Sequence, residues 1–377
     1  MEEYSVSADP QLTEVHLNRK LPNETLYRLQ QYVVPELSPK DYKGCGGKVC
    51  VVGGSEVYSG APFLSAMSAL KLGADLSFVI TAQENGIPLK CYSPELIVYP
   101  YLCSQKSNIN NIPGEELKKG ELKKCTEYLV SRIDCCVFGP GLGSIDEVTK
   151  DCLSYVMKKM IKKNIFLILD ADIIEFVLTC RDIFYLIQNY QHCLFTPNKN
   201  EFKKMIFLLT EDSQNLKFED LMTTDKIVQQ GHKLMRMFDG PKILIKGFYD
   251  VFISRDFFFV SSVEDPCLKR PAGLGDVLTG LLAVFLAWAG KKKDKFSPTL
   301  KEAFHVDSID AQNECLDALS AFCGSFFLKY LCREEFKKYH RGLLASDVIK
   351  GIPHHFHFLY DGGHEPSLLD HQPRFPD

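Results

Sequence analysis

Lys48-Val49-Cys50-Val51-Val52-Gly53-Gly54 is a short, β-branched apolar run closed by two glycines, the pattern of a strand buried on both faces of a parallel sheet. Ser55 to Ser59 reads as a loop. Gly60-Ala61-Pro62 opens a helix, because proline fits the first turn, where its missing amide costs no hydrogen bond. Phe63, Ala66, Met67 and Leu70 follow at helical spacing up to Gly73, and Leu76 to Thr81 is a second strand. This opening is a βαβ unit, which demands a parallel sheet with a helix packed on it.

The same grammar recurs along the chain. Cys135-Cys136-Val137-Phe138 runs into Gly139-Pro140-Gly141-Leu142-Gly143-Ser144, with a helix over Ile145 to Lys162; Ile165 to Leu169 ends at Asp170-Ala171-Asp172. Cys193 to Thr196 ends at Pro197-Asn198-Lys199-Asn200-Glu201, with a helix to Leu208, and Lys242 to Ile245 ends at Lys246-Gly247. Val251 to Ser254 and Phe257 to Val260 read as a hairpin. It precedes a small-residue loop, Pro266-Cys267-Leu268-Lys269-Arg270-Pro271-Ala272-Gly273-Leu274-Gly275-Asp276, that enters an apolar helix. Further helices are expected at about Leu316 to Leu331 and Ala345 to Gly351. The expected fold is α/β: a mostly parallel central sheet with helices on both faces.

With 377 residues and 45% hydrophobic content, the chain can bury a large core. A net charge of -4 gives no general attraction for nucleic acid or an anionic membrane, so a small or neutral partner is the easier expectation. The longest apolar run, Val277 to Ala289, falls short of the roughly 20 residues of a membrane span and reads as a buried helix. Fourteen cysteines without a Cys-x-x-Cys pair argue against a zinc ribbon or redox motif and for reduced thiols. Met1 to Lys20 carries Glu2, Glu3, Asp9 and Glu14 and shows no import-signal pattern, which places the protein in the cytosol. Residues 1–37 read as an extension with one short helix over Thr25 to Val34; residues 359–377 read as a disordered tail. Lys291-Lys292-Lys293 and the stretch to Asp310 read as a solvated surface loop, and His354, His355 and His357 as incidental.

In open α/β sheets ligands bind beyond the carboxyl ends of the strands. Six loops there carry chemistry: Gly53-Gly54-Ser55, Gly139 to Gly143, Asp170-Ala171-Asp172, Asn198 with Glu201, Lys246-Gly247, and the loop ending in Asp276. Glycines admit a close ligand, carboxylates with Asn suit Mg²⁺, Lys neutralises phosphate, and the amides of a helix's first turn favour an anion beside Asp276. Together they describe a nucleotide site with a metal and a base. Each loop also has a plainer explanation. Asp170 and Asp172 would serve as helix caps, Asn198 and Glu201 as a cap with its first-turn acid, and a carboxylate would satisfy Lys246 as well as a phosphate. Neither a dinucleotide fingerprint nor a P-loop is present.

The wording of these loops resembles one family. Lys43-Gly44, Val51-Val52-Gly53-Gly54-Ser55, Tyr58-Ser59-Gly60-Ala61-Pro62, Ser93-Pro94-Glu95-Leu96, Gly139-Pro140-Gly141-Leu142-Gly143, Leu169-Asp170-Ala171-Asp172, Thr196-Pro197-Asn198, Lys246-Gly247, Gly273-Leu274-Gly275-Asp276 and Ala345-Ser346-Asp347 stand in the order found in the NAD(P)H-hydrate dehydratases. The resemblance covers about residues 38–355, puts the domain at 38–358, and implies a ribokinase-like fold and repair of damaged NADH and NADPH. Water added to the reduced nicotinamide ring would be removed at the expense of ATP, through phosphorylation of the hydroxyl and departure of phosphate.

Carried over by position, the resemblance makes Asp276 the base. It assigns NADH hydrate and NADPH hydrate to Gly141, Asn198, Lys199, Asn200, Glu201, Phe202, Lys203, Lys204 and Asp276. ATP falls to Lys246, Gly247, Phe248, Tyr249 and Asp250, with Pro266, Cys267, Leu268, Lys269, Arg270, Pro271, Ala272, Gly273, Leu274 and Gly275. Asn198 and Glu201 would organise Mg²⁺ indirectly. A partner epimerase is expected as a separate chain, and a homo-oligomer is compatible with all of this. Two rivals remain: a thiazole or pyrimidine alcohol kinase of the same superfamily, and a non-catalytic nucleotide-binding protein. Ala272 stands where the family usually has glycine, and it would be strained if φ there were positive.

Overall fold

The computed structural model describes residues 19–105, 115–210, 223–261, 263, 266–293 and 296–361. Its strands are β1 (Arg19–Lys20), β2 (Lys48–Val52), β3 (Leu76–Ala82), β4 (Ile97–Leu102), β5 (Cys135–Phe138), β6 (Phe166–Leu169), β7 (Cys193–Phe195), β8 (Lys242–Ile245), β9 (Asp250–Ile253) and β10 (Phe257–Ser261). They form one sheet in the order β1-β10-β9-β8-β7-β6-β5-β2-β3-β4. Neighbours from β8 to β4 run parallel, whereas the β9–β10 hairpin is antiparallel and β1 adds to its outer edge.

Alternation along each strand divides the core between the faces of the sheet. Val49, Val51, Val137, Ile168 and Leu244 face one cluster, while Cys50, Val52, Phe138, Leu169 and Ile245 face the other. The first face is covered by α2 (Gly60–Leu72), α10 (Leu274–Gly290), α12 (Ile309–Tyr339) and α13 (Ala345–Phe356), which pack on one another, and the short α3 (Gly86–Tyr92) packs against α2 and β4. The second is covered by α4 (Glu115–Leu129), α5 (Glu147–Lys162), α6 (Asp172–Thr179), α7 (Arg181–Gln188), α8 (Lys199–Leu209) and α9 (Thr224–Met235). Every residue from Val277 to Ala289 is buried, as an all-round apolar helix requires. Although α12 is long and apolar enough to cross a membrane, most of it is buried inside this fold.

Several expectations are corrected. Asn23–Leu29 forms α1, followed by a 3-10 turn at Gln30–Tyr32, and Leu21, Leu26, Leu29 and Val33 join the core. Residues before 19 and after 361 lie outside the described residues; the π-turn His357–Asp361 continues α13, and Tyr360 Oη donates to Gln30 Oε1 at 2.8 Å. The lysine run is no solvated loop. Lys291 Nζ donates to Gly44 O and Cys45 O (3.1 and 2.8 Å), Lys292 Nζ to Tyr32 O and Val34 O (2.6 and 2.9 Å), and Lys293 pairs with Asp317 at 3.5 Å. Pro298–Phe304, inside the expected loop, is α11, with Leu300 and Phe304 buried. All fourteen thiols are free.

Candidate active site

Chain order along the sheet reverses between β2 and β5, so the loops after β2, β5, β6, β7 and β8 share one edge. The β2 and β5 loops are stitched together. Gly54 N–H donates to Pro140 O (2.8 Å) and Ser55 Oγ to Gly141 O (3.0 Å). At Gly139, φ is +125°, and a Cβ would stand 1.7 Å from Asp170 O, so only glycine lets the β5 loop close on the β6 loop.

Asp170 is buried and caps nothing. Its Oδ1 accepts from Thr196 Oγ1 (2.8 Å) and pairs with the Lys246 ammonium. The cap position of α6 falls on Ala171, at φ 56° and ψ −132° with no side-chain cap, a conformation a non-glycine residue rarely adopts. Beyond it, Asp172 Oδ2 accepts the Gly143 N–H at 3.0 Å, and burial raises its pKa. Of the two partners open to Lys246 on sequence, the structure shows the carboxylate. Burial works against this ammonium, yet Asp170, then Glu201 and Asp276, hold its pKa above the ordinary lysine value.

For Asn198 and Glu201 the capping explanation is also what is observed. Asn198 Oδ1 accepts from the amides of Asn200 (2.9 Å) and Glu201 (3.0 Å), and Glu201 Oε2 accepts the Asn198 N–H at 2.8 Å. This capping box fixes the start of α8 and, through the parallel bridge of Asn198 with Lys246, ties the β7 and β8 ends together. Burial raises the Glu201 pKa, with Lys246 opposing it.

The first turn of α10 completes the site. Gly273 takes φ +93°, where an added Cβ would meet the Leu64 side chain at 2.4 Å. Ala272 is absent from the positive-φ residues, so its extra methyl carries no strain and the concern raised by the sequence disappears. A Cβ on Gly275 would lie 3.4 Å from Lys246 Nζ and 3.9 Å from Asp170 Oδ2, which puts that pair against bare helix backbone. Burial and then Asp170 push the neighbouring Asp276 carboxyl up to about 7, against the pull of Lys246. A carboxylate that ionises near neutrality is suited to take up a proton.

A cavity of about 310 Å³ opens beside this turn. Of the ATP residues expected from sequence, Lys246, Gly247, Phe248, Asp250, Pro266, Cys267, Lys269, Arg270, Pro271, Gly273, Leu274 and Gly275 line it. Tyr249, Leu268 and Ala272 do not. Asn198, expected to hold the hydrate, lines the same cavity. Gly141 lies in the β5 loop and Lys199 packs near Gly247 (Cε 3.6 Å from the Gly247 Cβ position), whereas Asn200 is exposed and Lys204 pairs with Glu175. Lys203 is partly buried on α8. Phe202 is corrected as a side-chain contact: its ring is fully buried in the core under α8, where Phe202, Met205 and Ile206 form the inward i, i+3, i+4 stripe of the helix.

Sequence reasoning missed Leu278, Leu328, Lys329 and Cys332 in the cavity wall. Lys329 Nζ donates to Gly247 O (3.2 Å) and Phe248 O (3.1 Å) and pairs with Asp250 at 3.1 Å, clamping the β8–β9 turn. Among the described residues no group of three or more His, Cys, Asp or Glu could hold a metal by itself.

Residues 49–353 match the model of a family described as NAD(P)H-hydrate dehydratase. The chain is 33% identical over 333 residues to the ATP-dependent (S)-NAD(P)H-hydrate dehydratase of Physcomitrium patens, covering 85% of this chain and 92% of that protein. To the Arabidopsis thaliana protein of that name it is 34% identical over 325 residues, covering 84% and 80%. Among solved structures, a ribokinase-like superfamily protein of Enterococcus faecalis superposes with a TM-score of 0.62 at 21% identity over 91% of this chain and 97% of that one. The Bacillus subtilis ADP/ATP-dependent NAD(P)H-hydrate dehydratase co-crystallised with ATP/Mg²⁺ gives 0.56 at 17% identity, covering 88% and 97%. The fold is ribokinase-like.

Proposed function

The chain belongs to the NAD(P)H-hydrate dehydratase family, and from that premise we propose that its cleft uses ATP to return hydrated NADH and NADPH to NADH and NADPH, with Asp276 as the base. The observation that carries the assignment of the base is Asp276 itself: a carboxyl that ionises near 7, in the first turn of α10, next to Gly275 of the cavity wall and within the electrostatic reach of the Lys246 ammonium.

Hydroxide is a poor leaving group, so the ring hydroxyl must be converted. Asp276 takes the hydroxyl proton as the oxygen attacks the γ-phosphorus of ATP and ADP departs. The carbon–oxygen bond then breaks, phosphate leaves with the electron pair, and the ring nitrogen's lone pair compensates. Loss of a proton from the adjacent ring carbon restores the double bond. Lys246 offsets charge on the transferring group, and the cavity wall from Pro266 to Gly275 positions it.

The donor set fits Mg²⁺ carried on nucleotide phosphates rather than in a protein cage. Hard carboxylate oxygens surround Lys246, while Asn198 and one oxygen of Glu201 are engaged in the capping box. When bound, Mg²⁺ would neutralise phosphate charge, with Asn198 and Glu201 acting on it indirectly. The relatives are named for the (S) hydrate, so an epimerase that interconverts hydrate epimers would feed this site. Fourteen free thiols support a reducing compartment such as the cytosol.

The test is direct: the protein is incubated with NADH hydrate, ATP and Mg²⁺ and the near-ultraviolet absorbance of NADH is followed. Return of that absorbance with stoichiometric ADP is expected. Phosphoryl transfer to a thiazole alcohol without NADH recovery would move the assignment to a small-molecule kinase.

A further inference from the structure

We propose that Asp170 is a positioning residue for phosphoryl transfer: it holds the Lys246 ammonium against the first turn of α10, and the two side chains act as one unit. The proposal rests on the function inferred above and adds a residue to it.

Three observations converge on Asp170. First, its carboxylate is oriented by Thr196 Oγ1 and committed to Lys246, across the intervening strand β7, instead of capping α6. Second, the chain holds Ala171 at φ 56° and ψ −132° between two carboxylates that face different tasks, Asp170 towards Lys246 and Asp172 towards the Gly143 amide. Strain of this kind persists only where the surroundings enforce it, and it clusters at working sites. Third, the pair lies against α10 where Gly275 offers no side chain, one residue from Asp276, and Lys246 lines the cavity.

An ammonium has three donors on a four-carbon stem and wanders unless something fixes it. Asp170 accepts from Lys246 at the floor of the site, which leaves the remaining donors for the cavity side. Neutralising Asp170 would free a half-buried cation to swing onto Asp276, the group that must remain available to the substrate hydroxyl.

The test uses the full chain with ATP, Mg²⁺ and NADH hydrate. Asp170→Asn keeps the shape and an acceptor for Thr196. It is expected to lower kcat by roughly 10²-fold while KM for ATP and for the hydrate each move less than about threefold, the pattern of an interaction needed only in the transition state. Lys246→Met should cost a similar factor, and the double variant no more than about the larger single loss, because the two act as one unit. Thr196→Val, which leaves both charges in place, should lower kcat by roughly three- to tenfold at unchanged KM, the scale of one lost orienting hydrogen bond. Losses that multiply in the double variant would overturn the proposal. So would recovery of Asp170→Asn by raised Mg²⁺, which would make Asp170 an ion ligand. If Asp170→Asn does not fold, the Thr196→Val result decides alone, and wild-type kcat there sinks the idea. A wild-type protein that returns no NADH at all would instead defeat the assigned function.

Discussion

Strand β8 begins with a buried lysine and is followed by a half-buried one, and the two differ in what surrounds the charge. At its start, Lys242 pairs with Asp317 at 2.9 Å; Lys293 approaches the other Asp317 oxygen at 3.5 Å, and His192 Nδ1 lies 3.3 Å from Lys293. Lys242 and Asp317 are each under 5% exposed. Burial opposes the Asp317 charge, but Lys242 and then Lys293 keep its pKa below the ordinary value, and burial depresses His192 to about 4. Just past the other end, Lys246 pairs with Asp170 beside a cavity, a helix N-terminus and a carboxyl ionising near 7. Both pairs satisfy an ammonium drawn out of bulk water, but only one has an opening and a poised neighbour. A buried ion pair by itself therefore marks a structural constraint, and access together with a second, mismatched carboxylate marks chemistry.

The largest expected effect tests the open end. Asp276→Asn should reduce NADH recovery by roughly 10²-fold or more with ATP affinity kept, measured by turnover and nucleotide titration. Its stability signature has a definite sign. Because the folded pKa is raised to about 7, the stability linked to Asp276 is fully present below the unfolded value near 4 and is lost as pH rises through 7. The Asn variant should accordingly melt above wild type at pH 8 and converge with it at low pH. Equal turnover would remove Asp276 from its role.

Next in size is the contrast between the lysines. Lys242→Met breaks a closed pair and should destabilise by on the order of 3–5 kcal/mol, with kcat of the folded enzyme unchanged. Lys246→Met should do the reverse in emphasis, lowering kcat far more than its melting temperature would suggest. If both variants lost activity only in proportion to stability, the distinction between the two ends would collapse.

A smaller effect follows from pH. Activity should fall about tenfold per unit below an apparent pKa near 7 as Asp276 takes up its proton. Over the same interval His192 works the other way on stability. Its folded pKa is depressed to about 4, so its contribution is present above the ordinary value of 6.5 and lost as pH falls towards 4. Thermal melts across pH 4–8 in wild type and Asp276→Asn separate the two, since the variant should keep only the acid-side loss.

What could be read in the sequence was what chain neighbours encode. Strand ends closed by glycine or acid, the helix after Pro62, and the loop into Asp276 all show as local spacing, and the site assembles at those loops. Pairings made by the fold were not legible. Asp170 and Lys246 lie 76 residues apart, and nothing local tells a capping aspartate from one that turns to a distant ammonium. Leu328, Lys329 and Cys332 reach the cavity from inside α12, where they read as ordinary helix residues. The lysines at 291–293 read as a solvated run because their partners, backbone carbonyls near residues 32–45 and Asp317, come from elsewhere in the chain.

The smallest expected effect lies where the open pair meets α10. Gly275 is the second residue of that helix, and alanine there would gain up to about 1 kcal/mol of helix propensity. The added methyl would stand 3.4 Å from Lys246 Nζ, at the tight limit of van der Waals contact, and would take up the space between the ammonium and the helix. Gly275→Ala should therefore melt slightly higher than wild type yet turn over roughly two- to fivefold more slowly, since small displacements of a positioned group are felt in the transition state. A matched change at the closed end, Lys293→Met, would remove the second ammonium from Asp317 and should lower the melting temperature without slowing turnover. Opposite signs of stability and activity at Gly275, with stability alone affected at Lys293, are what a working pair and a structural pair on one strand predict. A Gly275→Ala enzyme as fast as wild type would show that Lys246 need not sit where Asp170 holds it.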